Sequence, residues 1–320
     1  MVSQDVLIHT DSTAAKSSGV QVRKPRSARS RWRLQPAHLF VLPYTLFLLA
    51  FGVGPGLYAL VISFADFRTG IPRLFQAGLK NYVTAYTDFR FVSTFINVAK
   101  FLAISVPAGM IGVLALSLLL HARPGRFATL MRTIYFVPGA VAGPTAVLLA
   151  IFAFDPNISP FRALLRAMDY TLVTQVITPD HLPLIFTLLG FFAGAGGWIA
   201  IFYGALNNIS QEVLEAATID GCNAWRMALL IKRPLIAPYI IYMLILVFAG
   251  NVQLFAEPQL IGASGAAPIS RHWSPNQLGY AFAFEQANFG GSAAISLLMV
   301  IIGLTGAVLI LSTTDIFRAE

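Results

Sequence analysis

The chain has 320 residues, of which 57% are apolar and only 11% are charged, and its mean hydropathy is +0.71. Soluble domains are about 25% charged, and a soluble fold of this length could not cover its surface with so few charges. The net charge of +8 lies in blocks at the ends of apolar runs, not on a face suited to nucleic acid. The single cysteine, Cys222, excludes a disulfide framework and any cysteine-based metal site. The composition therefore indicates a polytopic membrane protein.

Residues 1–36 form a polar segment, rich in serine and alanine, that carries seven lysines and arginines against Asp5 and Asp11. No short apolar region with a small-residue cleavage site follows, so the segment does not resemble a removable signal peptide. Nucleic-acid binding is disfavoured, because neither interleaved aromatic residues nor a folded basic face accompanies the charge. We expect a disordered cytosolic tail that orients the first span.

Six stretches within residues 37–320 are long and apolar enough to cross a membrane, which needs roughly 20 apolar residues. They are about Leu39–Ala65, Phe95–Leu120, Leu130–Phe154, Leu182–Leu206, Leu235–Ala256 and Ala293–Ser312. Helix breakers within them are tolerated where neighbouring helices satisfy the freed backbone groups. Four glycines crowd the fourth span, and they indicate either close helix packing or an opening beside a transport path. These glycines are Gly190, Gly194, Gly196 and Gly197.

Lysines and arginines predict the orientation of the spans, because they concentrate in cytoplasmic loops. Fourteen of them lie on the side of the tail and seven on the other side. Lys100 lies inside the second span, and the acidic residues divide equally between the two sides. We therefore expect both termini in the cytoplasm.

Sequence signatures of enzymes are absent from the chain. No G-x-x-x-x-G-K-[ST] phosphate loop, G-x-S-x-G elbow or H-E-x-x-H motif occurs. The five histidines lie outside the spans or at their edges, without the spacing of metal ligands. We expect no catalytic residue and no bound metal in this chain.

A polar hairpin, residues 208–234, separates the fourth span from the fifth. Asn208 or Ser210 would cap a short helix with acids in its first turns, and Gly221 suits the left-handed residue that ends it. A second short helix would lead to Pro234. A small apolar face would be formed by Val213, Leu214, Ala217 and Ile219. Such a hairpin at a membrane surface is typical of a docking element for another protein.

This hairpin contains a specific motif, which runs Glu215-Ala216-Ala217-Thr218-Ile219-Asp220-Gly221 and continues through Trp225 to Ile231-x-x-Pro234. The motif closely resembles the EAA loop of binding-protein-dependent ABC importer permeases, in the carbohydrate-importer branch that includes the maltose-type permeases. The Gly-containing segment after the fifth span, from Phe255 to Pro268, and the entry into the last span are also similar to that family. The resemblance extends weakly from about residue 39 to 315.

The resemblance implies an all-α membrane protein with six transmembrane helices in the type I permease fold of ABC importers. Such a permease works with a second homologous permease subunit, two cytosolic ATPase subunits and an extracytoplasmic solute-binding protein. ATP and Mg²⁺ belong to the ATPase, so this chain would bind no cofactor. Its function would be the import of a sugar, a disaccharide or an oligosaccharide, across the plasma (inner) membrane by alternating access.

The resemblance also implies roles for the residues of the hairpin. Glu215 would face the ATPase, Asp220 would brace the turn at Gly221, and Trp225 would anchor the hairpin at the membrane interface. The remaining coupling residues are Ala216, Ala217 and Pro234. The chain departs from the family pattern at Cys222, Ala228, Arg233, Ala266 and Ala267. Because the spacing is intact, we interpret these as substitutions within a working motif.

Polar residues within the spans are candidates for the solute path. Polar groups are costly in lipid and tend to face the interior of a helix bundle. Asn251 is the first candidate and Gln253 the second, and Asn97 and Gly194 are further candidates. Amides suit hydroxyl-rich ligands because each offers donors and an acceptor. The alternative role for these side chains is hydrogen bonding between helices.

Two other functions remain open. An ion-coupled secondary transporter or channel often shows internal repeats and intramembrane ionisable pairs, and neither is evident. The importer could also carry a glycerol-phosphate-like solute or an oligopeptide. A phosphate ligand would favour a cation in the path, and Lys100 is the one candidate within a span.

Overall fold

The computed structural model describes residues 36–67, 73–141, 143–265, 270 and 272–313. The tail up to residue 35 and the departures at Ala266 and Ala267 lie outside the described residues. The chain divides into two compact units, Met1–Leu49 and Ala50–Glu320. The described part of the first unit contains α1, Pro36–Phe47.

The regular secondary structure of the second unit's described residues is helical, apart from an isolated bridge between Asp66 and Arg73, and turns and loops connect the helices. Its α-helices are α2 Gly54–Ser63, α3 Lys80–Tyr86, α4 Phe91–Ala122, α5 Arg126–Ala140, α6 Pro144–Ala153, α7 Arg162–Ala167, α8 Val173–Val176, α9 Leu182–Asn207, α10 Gln211–Ile219, α11 Ala224–Arg226, α12 Arg233–Leu235, α13 Ala237–Val252, α14 Ala256–Ser264, α15 Pro275–Tyr280 and α16 Phe289–Ser312. Three π-helical segments, Leu48–Val53, Met227–Lys232 and Ala281–Glu285, adjoin these helices.

Within the described residues, five helical segments are long and apolar enough to cross a membrane. They are Leu39–Ser63, Phe91–Ala122, Leu182–Asn207, Ala237–Ser264 and Phe289–Ser312. A sixth span results if α5 and α6 cross together. The expected all-helical membrane protein is therefore confirmed, and the helices begin or end up to eight residues from the bounds that hydropathy predicted.

The third predicted span differs most from expectation. In place of one helix over Leu130–Phe154, the structure has α5 and α6, which are bent by 108° relative to one another. Pro138 lies in the last turn of α5, Gly143 adopts a positive φ of 76°, and Pro144 opens α6. A proline removes a backbone donor and a left-handed residue cannot continue an α-helix, so the chain turns at this point.

Helix α9 is the most enclosed of the candidate spans, with 33% of its apolar window buried. It packs between α4 and α5. At Gly196 the backbone of α9 lies so close to α5 that a Cβ would meet the Tyr135 carbonyl oxygen and the Phe136 Cα. On the α4 side, a Cβ on Gly112 would lie 2.6 Å from the Phe191 ring. Small residues thus bring the helices together, as in other membrane bundles.

Two apolar clusters form most of the core. One joins α4, α9 and α13 near the hairpin and includes Val113, Phe202 and Met243. The other includes Phe101 and Phe186 and lies toward the opposite ends of α4 and α9. Both clusters supply lining residues to one cavity, which therefore lies where they meet.

Candidate functional site: the polar hairpin and the cavity between α4, α9 and α13

The first arm of the hairpin is α10, and its end is fixed by Gly221. Gly221 has a φ of +80°, which glycine adopts without steric cost. The Gly221 N–H donates to Thr218 O, and the Cys222 N–H donates to Ala217 O, both at 3.0 Å. This pair of bonds is the Schellman motif, which satisfies the last carbonyls of a helix. The prediction that Gly221 ends the helix is confirmed.

The start of the hairpin differs from expectation. Ser210 occupies the N-cap position of α10 in an extended conformation, but its side chain makes no capping hydrogen bond, and Asn208 instead ends α9. The prediction of a side-chain cap at either residue is therefore wrong. The side-chain cap of the hairpin lies at the second arm, where Asn223 Oδ1 accepts from the Arg226 backbone N–H at 2.9 Å. In sequence, Asn223 stands three residues before Arg226, which is the spacing of an N-cap.

The coupling residues divide between the two faces of the hairpin. Glu215, Ala216 and Asp220 are exposed, whereas Ala217 is buried with 6% exposure and packs inward. The expected apolar face is thus split. Outward-facing apolar side chains are those of Val213, Ile219, Trp225 and Leu230. Pro234 is exposed in α12, where the second arm meets the next span.

A contact that sequence reasoning missed attaches the base of the hairpin to α4. The Lys232 ammonium donates to His121 Nδ1 at 2.9 Å, and the backbone of Leu206 interacts with the same imidazole. Lys232 is 9% exposed, and burial lowers the pKa of its amine. The Tyr203 ring lies 5.6 Å from the imidazole, and the Arg132 guanidinium lies 3.9 Å from the Tyr203 ring.

The cavity between α4, α9 and α13 has a volume of about 210 Å³. Asn251 and Gly194, two of the predicted path residues, both line it. The Asn251 Nδ2 donates to Ser105 Oγ at 3.0 Å, so this amide both faces the cavity and bonds α13 to α4. Most of the other lining side chains are apolar, and no lysine or arginine of the described part of the chain lines the cavity.

The other two path candidates lie elsewhere. Asn97 Nδ2 donates to the Trp273 carbonyl oxygen at 3.1 Å and thereby attaches α4 to the segment before α15. Gln253 is exposed at the end of α13 and does not line the cavity. The structure therefore brings Asn251 and Gly194 together, and it separates both from Asn97 and Gln253.

The glycines of α9 have two different environments. Gly190 and Gly194 line the cavity, and a Cβ on either would meet no atom within 4 Å. Gly196 instead packs against the α5 backbone. Close helix packing is therefore confirmed for Gly196, whereas Gly190 and Gly194 border an open cavity whose role as a transport path stays a prediction.

An ionic chain lies at the other end of α4. Asp88 accepts from the Arg90 side chain at 2.8 and 2.9 Å, and this bond lowers the pKa of Asp88 and raises that of Arg90. Arg90 Nη1 lies 3.3 Å from His272 Nε2, which lies 3.5 Å from Glu285 Oε2. These four side chains connect the start of α4 to the π-helical segment Ala281–Glu285.

Comparison with known proteins identifies the family. Residues 90–318 match the family described as binding-protein-dependent transport system inner membrane component. The chain belongs to this family. It is thus a multi-pass inner-membrane permease, and the matched region contains the hairpin, the cavity and the ionic chain apart from Asp88.

Individual permeases of the family are similar over most of their length. The arabinooligosaccharides transport system permease protein AraP of Bacillus subtilis is 23% identical over 88% of this chain and 90% of its own. The sn-glycerol-3-phosphate transport system permease protein UgpA of Yersinia pestis is 27% identical over 84% and 90%. A chain of a bacterial alginate ABC transporter, solved with an alginate pentasaccharide-bound periplasmic protein, aligns with a TM-score of 0.71 at 16% identity. That alignment covers 86% of this chain and 92% of the other, and it shows that the two share a fold.

Proposed function

We propose that this chain is the non-catalytic membrane subunit of an ATP-driven importer that carries a sugar into the cell by alternating access. The observation that carries the proposal is the hairpin 208–234, which lies between two spans and exposes Glu215, Ile219 and Trp225. An exposed carboxylate beside exposed apolar side chains suits a protein interface, where charged pairs give specificity and apolar groups give affinity.

The partners in this proposal are a second homologous permease, two cytosolic ATPase subunits and an extracytoplasmic solute-binding protein. ATP and Mg²⁺ are held by the ATPase, and the chain itself binds no cofactor. ATP-driven closure of the ATPase pair displaces the hairpin, and the spans respond as rigid bodies. Both termini are cytoplasmic, together with the hairpin. Reporter fusions after residues 170 and 222 test this orientation, and an extracytoplasmic signal at 222 would contradict it.

A sugar is favoured over a phosphorylated solute by the lining of the cavity. Asn251, Ser105 and Thr187 supply uncharged donors and acceptors, which suit hydroxyl groups. A phosphate would favour a basic side chain in the path, and the cavity lining contains none. The relative AraP, an arabinooligosaccharide permease, supports the same choice, whereas the relative UgpA belongs to an sn-glycerol-3-phosphate system.

The test compares two glutamates of one helix in the assembled transporter. Glu215→Ala is expected to abolish uptake and solute-stimulated ATP hydrolysis, because it leaves a partner charge unpaired at a cost of about 2–5 kcal/mol. Glu212→Ala, at the exposed first turn of the same helix, is the matched control and is expected to retain both activities. Gly221→Pro should also abolish uptake, because proline cannot adopt the left-handed conformation. Normal uptake in both Glu215→Ala and Gly221→Pro would refute the coupling role.

Cysteine cross-linking locates the docking face independently. Ala216 is exposed and Ala217 is buried within the chain. We expect a cysteine at 216 to cross-link to the ATPase and a cysteine at 217 to react poorly. The reverse pattern would mean that α10 presents a different face to its partner.

A further inference from the structure

A second cavity, of about 380 Å³, lies between α14, α15 and the π-helical segment Ala281–Glu285. It is lined by Gln259, Gly262, Ala263, Gln277, Tyr280, Phe284 and Glu285. Helix α14 is the last part of the span Ala237–Ser264, and α15 and the π-helical segment follow it, whereas the hairpin precedes that span. The cavity therefore lies toward the membrane face opposite the hairpin.

The polar wall of this cavity is held in one orientation by Gln277, whose residue is only 1% exposed. Its Oε1 accepts from the backbone N–H groups of Trp273 and Ser274 at 2.9 and 3.1 Å. Its Nε2 is thereby directed to Gln259 Oε1, at 3.0 Å. The Gln259 amide nitrogen keeps both of its hydrogens for a ligand, because it has no hydrogen-bond partner among the described residues.

The opposite wall is aromatic. The Tyr280 and Phe284 rings lie 4.7 Å apart between centroids, and Phe255 lies 5.7 Å from Tyr280. Phe284 is 71% exposed, which leaves a large apolar face open at the cavity. A flat aromatic face offers apolar contact area at a small entropy cost, and the Tyr280 hydroxyl adds a polar tip.

The third component is the Glu285 carboxylate, which is half exposed. His272 lies 3.5 Å from this carboxylate and 3.3 Å from Arg90, which pairs with Asp88. The ionic chain thus connects Glu285 to the start of α4. An ionised carboxylate only accepts hydrogen bonds, and Gln259 offers donors, so the two are complementary toward groups that do both. Hydroxyl groups have this property.

We propose that this cavity is a carbohydrate subsite, distinct from the cavity at Asn251, that receives the sugar on the side opposite the hairpin. This proposal rests on the proposed function, and it adds the chemical class of the sugar. The ligand is a neutral polyhydroxylated ring, whose hydroxyl groups bond Gln259 and Glu285 and whose apolar face packs on Phe284. A uronate or a phosphorylated sugar is excluded, because its charge would be repelled by Glu285.

The experiment uses the complete transporter in nanodiscs, with its ATPase and binding protein, and measures both binding and uptake. Saturation-transfer NMR with maltose, cellobiose and arabinobiose as probes reports contact between sugar protons and the protein. Radiolabelled uptake of the bound sugar gives KM. The variants are Gln259→Leu and Phe284→Ala, and Gln286→Leu is the matched control because Gln286 is exposed next to the cavity without lining it.

We expect Gln259→Leu and Phe284→Ala to raise the uptake KM by roughly tenfold, which corresponds to about 1.4 kcal/mol. The melting temperature of the complex should stay unchanged in Phe284→Ala, whose side chain is 71% exposed, and should fall in Gln259→Leu, because the buried Gln277 amide loses its acceptor. Gln286→Leu should keep the wild-type KM. Glu285→Gln should admit glucuronate, which the wild type rejects, because the repelling charge is removed. Sugar uptake with wild-type KM in both cavity variants would overturn the subsite alone. Import of a solute that is not a carbohydrate would overturn the subsite together with the proposed function.

Discussion

Gly196→Ala tests the close approach of the α9 and α5 backbones. A Cβ at this position would lie 2.6 Å from the Phe136 Cα and would also meet the Tyr135 carbonyl oxygen. Both are backbone atoms of α5, so no side-chain rotation relieves the contact, and α5 must move away from α9. Overpacking of this kind costs about 1–3 kcal/mol. The gain in helix propensity from glycine to alanine offsets about 1 kcal/mol of it.

Gly197→Ala is the matched control, because the neighbouring Cβ would meet no atom within 4 Å. It keeps the propensity gain of about 1 kcal/mol without the steric cost. The Gly196→Ala complex should therefore be less stable than the Gly197→Ala complex by about 1–3 kcal/mol. The assay is the melting temperature of the purified complex, followed by tryptophan fluorescence. A Gly196→Ala complex that melts as high as the Gly197→Ala complex would refute the close packing of α5 on α9.

Two further predictions concern the cavity and the ionic chain. Asn251→Ala should lower uptake more than Ser105→Ala, although both remove the same 3.0 Å hydrogen bond. Uptake per folded complex at the wild-type level in Asn251→Ala, together with a lower melting temperature, would limit Asn251 to helix packing. Because the pKa of Asp88 is lowered by Arg90, its stabilisation is present above its unfolded pKa of about 3.9 and is lost as pH falls through the lower folded value. The fall in melting temperature from pH 6 to pH 3 should therefore be smaller in Asp88→Asn than in wild type. Asp180→Asn, at an exposed position, should show the same fall as the wild type.

The elements that the sequence predicted well are those with local signals. The turn at Gly221 was predictable because a left-handed position after a short helix requires glycine, whatever packs around it. The spans were predictable because hydropathy depends on composition alone. The bend between α5 and α6 was not, because prolines and glycines are also tolerated in continuous spans, and neighbouring helices decide between the two outcomes.

The location of each polar side chain depended on helix rotation, which no local pattern specifies. Asn251 and Asn97 look alike in sequence, yet one faces a cavity and the other bonds the backbone of Trp273. The second cavity brings together Gln259 and Gln277 from two helices, and only Gln277 has a signal in the sequence. Ser274 and Gln277 have the spacing of a capping box, which predicts that the glutamine side chain is fixed, but not what it faces.

Three side chains at different positions along α4 each make a hydrogen bond to a different part of the permease. His121 bonds the hairpin through Lys232, Ser105 bonds the Asn251 amide at the first cavity, and Asn97 bonds the segment that leads into the second cavity. The helix is 32 residues long, so one continuous element connects both membrane faces with the cavity between them. A tilt of α4 would therefore change all three contacts in the same step, so that, in the proposed importer, a movement of the hairpin would reach both cavities without a separate relay.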